Sequence, residues 1–194
     1  APASVLRFMD SNPGFGAACN NVLVMVDGES GFYLFIHDDA VLAADGVSRL
    51  IEELYRSNAG IVGPKIVSWD DVRQLQSVGV AVDRFGERDS VVSADEIDQE
   101  QHDAVRDTFM LPSTCMLIRA DLFRSLGGFE PSLSHESADL DLCWRAHTIG
   151  ARVVVVPAAV AKHLHRSKSK NHSPQQVRDL VVRAEKERIH TTIA

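Results

Sequence analysis

The 194-residue chain is poor in features that several protein classes require. It has only three cysteines, Cys19, Cys115 and Cys143, and none sits in a Cys-x-x-Cys spacing. A sparse, odd set of this kind reads as small buried hydrophobes in a reduced, cytoplasmic protein. No apolar run approaches the ~20 residues that span a bilayer. No signal peptide is visible. A basic surplus is also missing: the formal net charge is -7 and the pI about 5.6, which argues against a nucleic-acid binder. There is no internal repeat and no Gly-x-Gly-x-x-Gly fingerprint. An initiator methionine is absent too, and the abrupt start at Ala1-Pro2 suggests a fragment of a longer protein.

What remains is an ordinary globular balance, with 45% hydrophobic and 24% charged residues. The length suits one domain with a single sizeable core. The acidic charge does not bar an anionic substrate, because a metal ion and local dipoles can hold phosphate in an acidic protein.

Strand and helix signals alternate, which predicts an α/β layered domain. Residues 5–9 read as a short strand that runs into the turn cluster Asp10 to Gly16, and Ala17 to Val26 reads as one helix. Gly31 to Ile36 is a continuous apolar run, the pattern of a strand buried on both faces. Asp45 can cap a helix whose apolar face is Val47, Leu50, Ile51 and Leu54. Gly60 to Val67 reads as a strand, with Pro64 at an edge or bulge. Leu75 to Asp83 alternates loosely around Gly79. Glu87 to Asp107 is rich in Asp and Glu and reads as a solvated, mobile insertion. Phe109 to Ile118 returns to strand character, and Asp121 can cap a short helix ending at Gly127-Gly128. A helix over Asp139 to Thr148 would pack through Leu140, Cys143, Trp144 and His147. Arg152 to Val156 reads as a buried strand stopped by Pro157. A basic loop (Lys162 to His172) and a final helix starting near Pro174 follow; that helix faces solvent, a membrane surface or a partner domain.

Four constellations carry chemistry. His37-Asp38-Asp39 closes the apolar strand, and in open α/β sheets ligands sit beyond the carboxyl ends of strands. Adjacent carboxylates there repel unless a cation such as Mg2+ or Mn2+ neutralises them; the plain alternative is a solvated Asx turn. Asp139 stands at a predicted helix start, where it can serve as a catalytic carboxylate or simply as an N-cap, and Asp141 can pair with Arg145 one turn on. His163 follows the last strand and can complete a metal site or remain an ordinary loop histidine. The stretch from Asn12 through Gly14, Phe15 and Gly16 to Asn20 lets backbone approach a ligand closely, but as a free-standing motif it is weak.

The order of these pieces resembles glycosyltransferase family 2. The likeness runs from Asn-x-Gly-Phe-Gly-x-x-x-Asn (12–20) through the strand ending in Asp38-Asp39, then Val62-Gly63-Pro64-Lys65 and Gln76-Ser77-x-Gly79. Next come Cys115 to Arg119, Leu126 to Glu130, Asp139 to Arg145, Gly150 to Pro157 and His163. It covers roughly residues 5–165 and is nearest to rhamnosyl- and galactofuranosyl-type members of bacterial cell-wall biosynthesis.

The resemblance implies a GT-A (Rossmann-like) fold: a mainly parallel sheet flanked by helices, here lacking its first strand. It implies a domain over 1–170, incomplete at its N-terminus, with 171–194 as a C-terminal helix. It implies inverting, metal-dependent transfer of a hexose from a nucleoside-diphosphate sugar to a glycan or lipid-linked acceptor, and a place at the inner face of the membrane. Carried over residue by residue, Asp39 and His163 would bind Mg2+ or Mn2+. His37 and Asp38 would line the ribose and diphosphate, with Gly14, Gly16, Asn20, Glu136 and Asp141 also on the substrate side. Asp139 would be the catalytic base.

The chain departs from the family pattern in four places. His37 stands at the first position of Asp-x-Asp, and Ala138 replaces the Glu before the catalytic Asp. Ser113-Thr114 stands where Gly-Ala is common, and the opening strand with its base-binding loop is missing. These departures leave a second expectation open, a catalytically silent binding module of the same fold. A sugar nucleotidyltransferase would need an early Gly-rich, basic phosphate loop, which the chain lacks.

Overall fold

A computed structural model describes residues 9–26, 30–133 and 135–164, with the side chains of His135 and Glu136 excluded. The strand expected over residues 5–9, the basic loop beyond Leu164 and the helix near Pro174 fall almost wholly outside them.

In chain order the elements are α1 (Phe15–Cys19), α2 (Val22–Met25), β1 (Phe32–Ile36), β2 (Ala40–Leu42), α3 (Gly46–Ser57), β3 (Ile61–Ser68) and β4 (Leu75–Ser77). Then come β5 (Val80–Val82), β6 (Arg88–Ser90), β7 (Arg106–Asp107), β8 (Cys115–Arg119), α4 (Ala120–Ser125), α5 (His135–Thr148) and β9 (Val153–His163). The main sheet runs β1-β8-β3-β9-β2, with β4 added on β3 and β7 on β9; β5 and β6 form a separate hairpin. The architecture is therefore mixed α/β, a sheet core flanked by helices.

The expectation of a mainly parallel sheet is corrected among the described residues: only β3 and β9 pair in parallel. The cause is β8, which runs back between β1 and β3 and is antiparallel to both. A sharp turn at 37–39 likewise sends β2 back antiparallel along β9.

Period-two alternation divides the core between the two sheet faces. Ile61, Met116, Ile118, Val153 and Val155 face α4 and α5 with Phe123, Phe129, Leu142 and Cys143. Val62, Leu117, Val154 and Val156 face α3 with Leu50 and Leu54. Cys115 and Cys143 are small buried groups and Cys19 is half-buried: burial pushes the Cys115 and Cys143 thiols up to about 12, and burial together with the charge of Asp139 does the same for Cys19.

Several local expectations shift for identifiable reasons. The single helix over 17–26 is two short ones, because the chain turns at Asn20-Asn21. β1 is not buried on both faces: Leu34 and Ile36 are exposed, since β1 ends the described sheet order. Pro64 sits at a break in register between β3 and β9, as a residue without an N–H should. Pro157 does not stop β9. The ladder jumps from Val156 to Val160, leaving 157–159 unpaired, and the strand resumes to His163. Finally, α5 begins at His135, a full turn before Asp139. Its packing stripe is Ala138, Leu142, Cys143 and Ala146, all fully buried, whereas Trp144 is half exposed.

The acidic segment 87–107 is also corrected, from mobile insertion to a pinned one. Lys65 donates to Asp98 and Asp103, each at 2.6 Å, from a position that is itself buried. Burial alone would lower the Lys65 pKa; the hydrogen bonds to Asp103 and Asp98 more than offset it, and the net shift is upward. Glu96 accepts from the Ser93 N–H, Gln101 and His102, and its backbone oxygen accepts from the Leu75 N–H. Composition marked the segment as too polar to fold, but its carboxylates answer a lysine from the sheet. Lys65→Met should destabilise the domain by roughly 1–3 kcal/mol, since it strands two carboxylates around one apolar side chain. Hydrogen exchange should rise first over residues 93–107; unchanged protection there would count against the pinning role.

Candidate functional site

The site forms where β1, β3 and β9 end. The His37 N–H donates to the Thr114 carbonyl at 3.0 Å, so the turn after β1 is tied to the segment that leads into β8. The Ala40 N–H closes that turn on the His37 carbonyl, and the Leu164 N–H donates to the Asp39 carbonyl. His163 lies opposite Ala40 on β2 and Ser68 on β3. Because β9 continues past Pro157, it delivers His163 to the turn that holds Asp39.

The result is a compact donor cluster. His163 Nε2 is 3.4 Å and His37 Nδ1 3.9 Å from the same oxygen, Asp39 Oδ1. One ligand atom from each of the three residues lies within 4.8 Å of the others. Asp39 and His163 are buried, and His37 is half-buried with Phe15 set edge-on against its ring at 5.3 Å. Two imidazole nitrogens and one carboxylate oxygen are a donor set that suits a divalent transition-series ion, and three protein ligands leave coordination positions for substrate oxygens. The donors therefore fit the implied cation. Asp38, next in sequence, is exposed.

Asp139 connects to this cluster through Ser113. Its Oδ2 accepts from the Ser113 N–H at 2.9 Å, and the Ser113 hydroxyl lies 3.3 Å from His37 Nε2. Asp139 is 4% exposed because it shares the inward face of α5 with Leu142, Cys143 and Ala146. The early start of α5 rules out an N-cap role. Asp39, Asp139 and His163 thus belong to one connected constellation, and His37 joins Asp39 and His163 in the donor cluster rather than standing apart from it.

The other residues expected at the site, where the structure describes their side chains, make contacts of a different kind. Asn20 uses its whole amide on Phe129, donating to its carbonyl and accepting from its N–H, both at 2.8 Å. Gly16 lets α1 settle on the same residue, since a Cβ there would come within 2.9 Å of the Phe129 Cβ. Gly14, at φ 88° and ψ 163°, takes a positive-φ extended conformation open essentially to glycine, which turns the chain into α1. These three position Phe15 against His37. Asp141 points away from Asp139, two residues along the helix, and pairs with Arg145, whose guanidinium also holds the Leu126 and Gly128 carbonyls. The Glu136 side chain lies outside the described residues.

Reading the residues one by one missed Phe15, Ser113 and Gln76. The Gln76 side chain grips His163 twice: Oε1 lies 3.0 Å from Nδ1, and Nε2 donates to the His163 carbonyl at 3.0 Å. Only the Gln-Ser-x-Gly stretch of the resemblance hinted at it.

Among the described residues, no helix is long and apolar enough to cross a membrane.

The chain resembles known proteins along most of its length. Over 156 residues the chain is 27% identical to the pre-mycofactocin glycosyltransferase of Mycobacterium tuberculosis, covering 78% of this chain and 29% of that protein. It is 26% identical over 174 residues to the uncharacterized protein y4gI of Sinorhizobium fredii, covering 87% of this chain and 18% of that one. The chain thus spans less than a third of the length of these relatives. Among solved structures, that of GalNAc-T7 with UDP, GalNAc and Mn2+ superposes with a TM-score of 0.61 at 12% identity, over 80% of this chain and 31% of that one. A likeness at that identity speaks for the fold, which is GT-A. The model of the family described as glycosyltransferase like family 2 matches residues 4–181, and the chain belongs to that family.

Proposed function

We propose that this domain transfers a sugar from a nucleoside-diphosphate sugar to an acceptor hydroxyl with inversion at the anomeric carbon, and that the transfer depends on a divalent cation. The observation that carries the reading is the convergence of His37 and His163 on one oxygen of Asp39, with Asp139 joined to them through Ser113.

In this reading His37, Asp39 and His163 hold the cation, which supplies positive charge against the departing diphosphate. The acceptor oxygen forms a bond to the anomeric carbon as the bond from that carbon to the diphosphate oxygen breaks. The acceptor proton passes to the Asp139 carboxylate, and the electron pair leaves with the nucleoside diphosphate. Ser113 holds Asp139 Oδ2 through its N–H, which fixes the carboxylate relative to His37. The GalNAc-T7 structure contains UDP and Mn2+, which supports a uridine or similar nucleotide and Mn2+ as first choices. Two imidazoles in the donor set also favour Mn2+ over Mg2+, since Mg2+ prefers oxygen ligands. A glycan or lipid-linked acceptor, hexosyl transfer of the rhamnosyl or galactofuranosyl kind and work at the inner membrane face follow the sequence resemblance.

A second reading, a silent module that binds donor without turnover, is favoured by one observation. Ala138 occupies the position of the family's Glu and is fully buried, so no carboxylate stands there to assist Asp139. One experiment addresses both readings: titration of UDP-, GDP- and dTDP-sugars with Mn2+ and with chelator, alongside transfer and donor hydrolysis. Mn2+-dependent donor binding with turnover is the expected result. Binding without turnover would select the silent module, and no metal-dependent binding of any donor would reject both.

A further inference from the structure

Gln76 occupies a place that neither ordinary strand pairing nor its exposure explains. In the β3–β4 ladder Ile66 pairs with Ser77 and Val67 with Leu75, so Gln76 is the extra residue of a bulge. Bulges re-aim side chains, and this one turns Gln76 toward His163, which faces Ser68 on the far side of β3.

The chemistry of the contact determines its proton positions. The His163 carbonyl can only accept, and it already accepts from the Trp69 N–H at 3.1 Å. The amide group of Gln76 at 3.0 Å from that carbonyl must therefore be the donating Nε2. Reversing the amide would set two oxygens against each other. Oε1 is then the atom facing His163 Nδ1 at 3.0 Å, and an amide oxygen only accepts. Nδ1 must carry the hydrogen. In the neutral ring the lone pair lies on Nε2, the atom 3.4 Å from Asp39 Oδ1.

We infer that Gln76 is a positioning residue: it locks His163 in the Nδ1–H tautomer and so aims the Nε2 lone pair at the cation held with Asp39 and His37. The inference rests on the metal reading above and deepens it. A lone pair and a carboxylate oxygen directed at one point repel unless a proton or a metal cation lies between them. Gln76 therefore prepares a site that a cation completes. Because its grip comes from a neutral amide held by the backbone of His163 itself, it adds no charge to the site. Partners of this outer kind hold a metal-binding imidazole in the orientation and tautomer that coordination needs.

Two measurements test this. In the metal-free parent chain, in alkaline buffer, long-range 1H–15N correlation of the histidine rings should show His163 with its hydrogen on Nδ1; an Nε2–H ring would overturn the inference. Gln76→Leu keeps a side chain of similar length without an acceptor. Its Mn2+ dissociation constant, read from the EPR signal of free Mn2+, should rise by roughly 10–100-fold. The His163 tautomer should also cease to be fixed. A Gln76→Leu chain that binds Mn2+ as the parent does sinks the Gln76 role alone. A parent that binds no Mn2+ sinks the metal reading and this inference with it. The ring spectrum of the parent needs no metal and no variant, so it still decides the tautomer if Gln76→Leu misfolds.

Discussion

Asp139→Asn is expected to lower sugar transfer by roughly 10²–10⁴-fold, the span that a positioned general base contributes, while Mn2+-dependent donor binding stays within about twofold of the parent. The separation follows from where Asp139 sits. It is joined to the His37–Asp39–His163 cluster through Ser113, whose N–H it holds at 2.9 Å and whose hydroxyl lies 3.3 Å from His37 Nε2. An asparagine can present its amide oxygen to the same N–H, so Ser113 and the His37 ring beyond it should stay in place. What asparagine cannot do is take the acceptor proton. Transfer kinetics and donor titration on the same preparation check the prediction. Full transfer activity in the variant would remove Asp139 from the mechanism, whereas equal losses of binding and turnover would make it a structural residue of the α5 face.

Asp39→Ala has the second large effect, and it acts earlier in the reaction. Both imidazoles converge on Asp39 Oδ1, so the substitution removes the only carboxylate of the described cluster and leaves two imidazoles. Mn2+ affinity should fall by more than the roughly 10–100-fold that loss of an outer partner costs. Donor binding should lose its metal dependence altogether. The fold should survive, because the Leu164 N–H bonds the backbone carbonyl of residue 39 and not its side chain. EPR titration of Mn2+, with thermal unfolding as the control for folding, distinguishes loss of the site from loss of the domain. Retained Mn2+-dependent donor binding in Asp39→Ala would falsify the assignment of the cluster as the metal site.

The two variants separate the roles that the geometry joins. Asp39 is read through binding and Asp139 through turnover. If donor binds and Mn2+ matters but Asp139→Asn changes nothing because the parent does not turn over, the silent module suggested by Ala138 is the better description. Asp141 does not make good the carboxylate missing at Ala138, because it is paired with Arg145, which also holds the Leu126 and Gly128 carbonyls.

Much of the site was legible in the linear order of residues. A strand ending in acidic residues, a carboxylate on a helix and a histidine after the last strand are local patterns, and each depends on neighbours a few positions away. Helix and strand periodicity likewise located α3 and β3 to within a few residues, whereas β8 begins only at Cys115 and α5 already at His135. The rest was illegible because it depends on partners far along the chain. Asn20 looked like a ligand-facing amide until Phe129, more than a hundred residues later, was found to satisfy both of its ends. The acidic segment looked mobile until Lys65 was found between Asp98 and Asp103. The α5 stripe was misjudged by one residue around the helix, and that single step decides whether Asp139 faces solvent or the site.

By itself the sequence determined the residue types available for chemistry: the Asp38-Asp39 pair after β1, the carboxylates of α5 with Asp139 among them, His37 and His163, and no basic phosphate loop. It also determined which residues could build a sheet, because alternation and turn chemistry act within a strand. Tertiary structure alone decided that His37 joins Asp39 and His163, that β9 runs on past Pro157 to deliver His163, and that a bulge turns Gln76 onto the ring. These outcomes come from strand register. A shift of one residue in pairing exchanges the two faces of a strand, and here the shifts fall at bulges that form only when β3 pairs with β4 and with the distant β9.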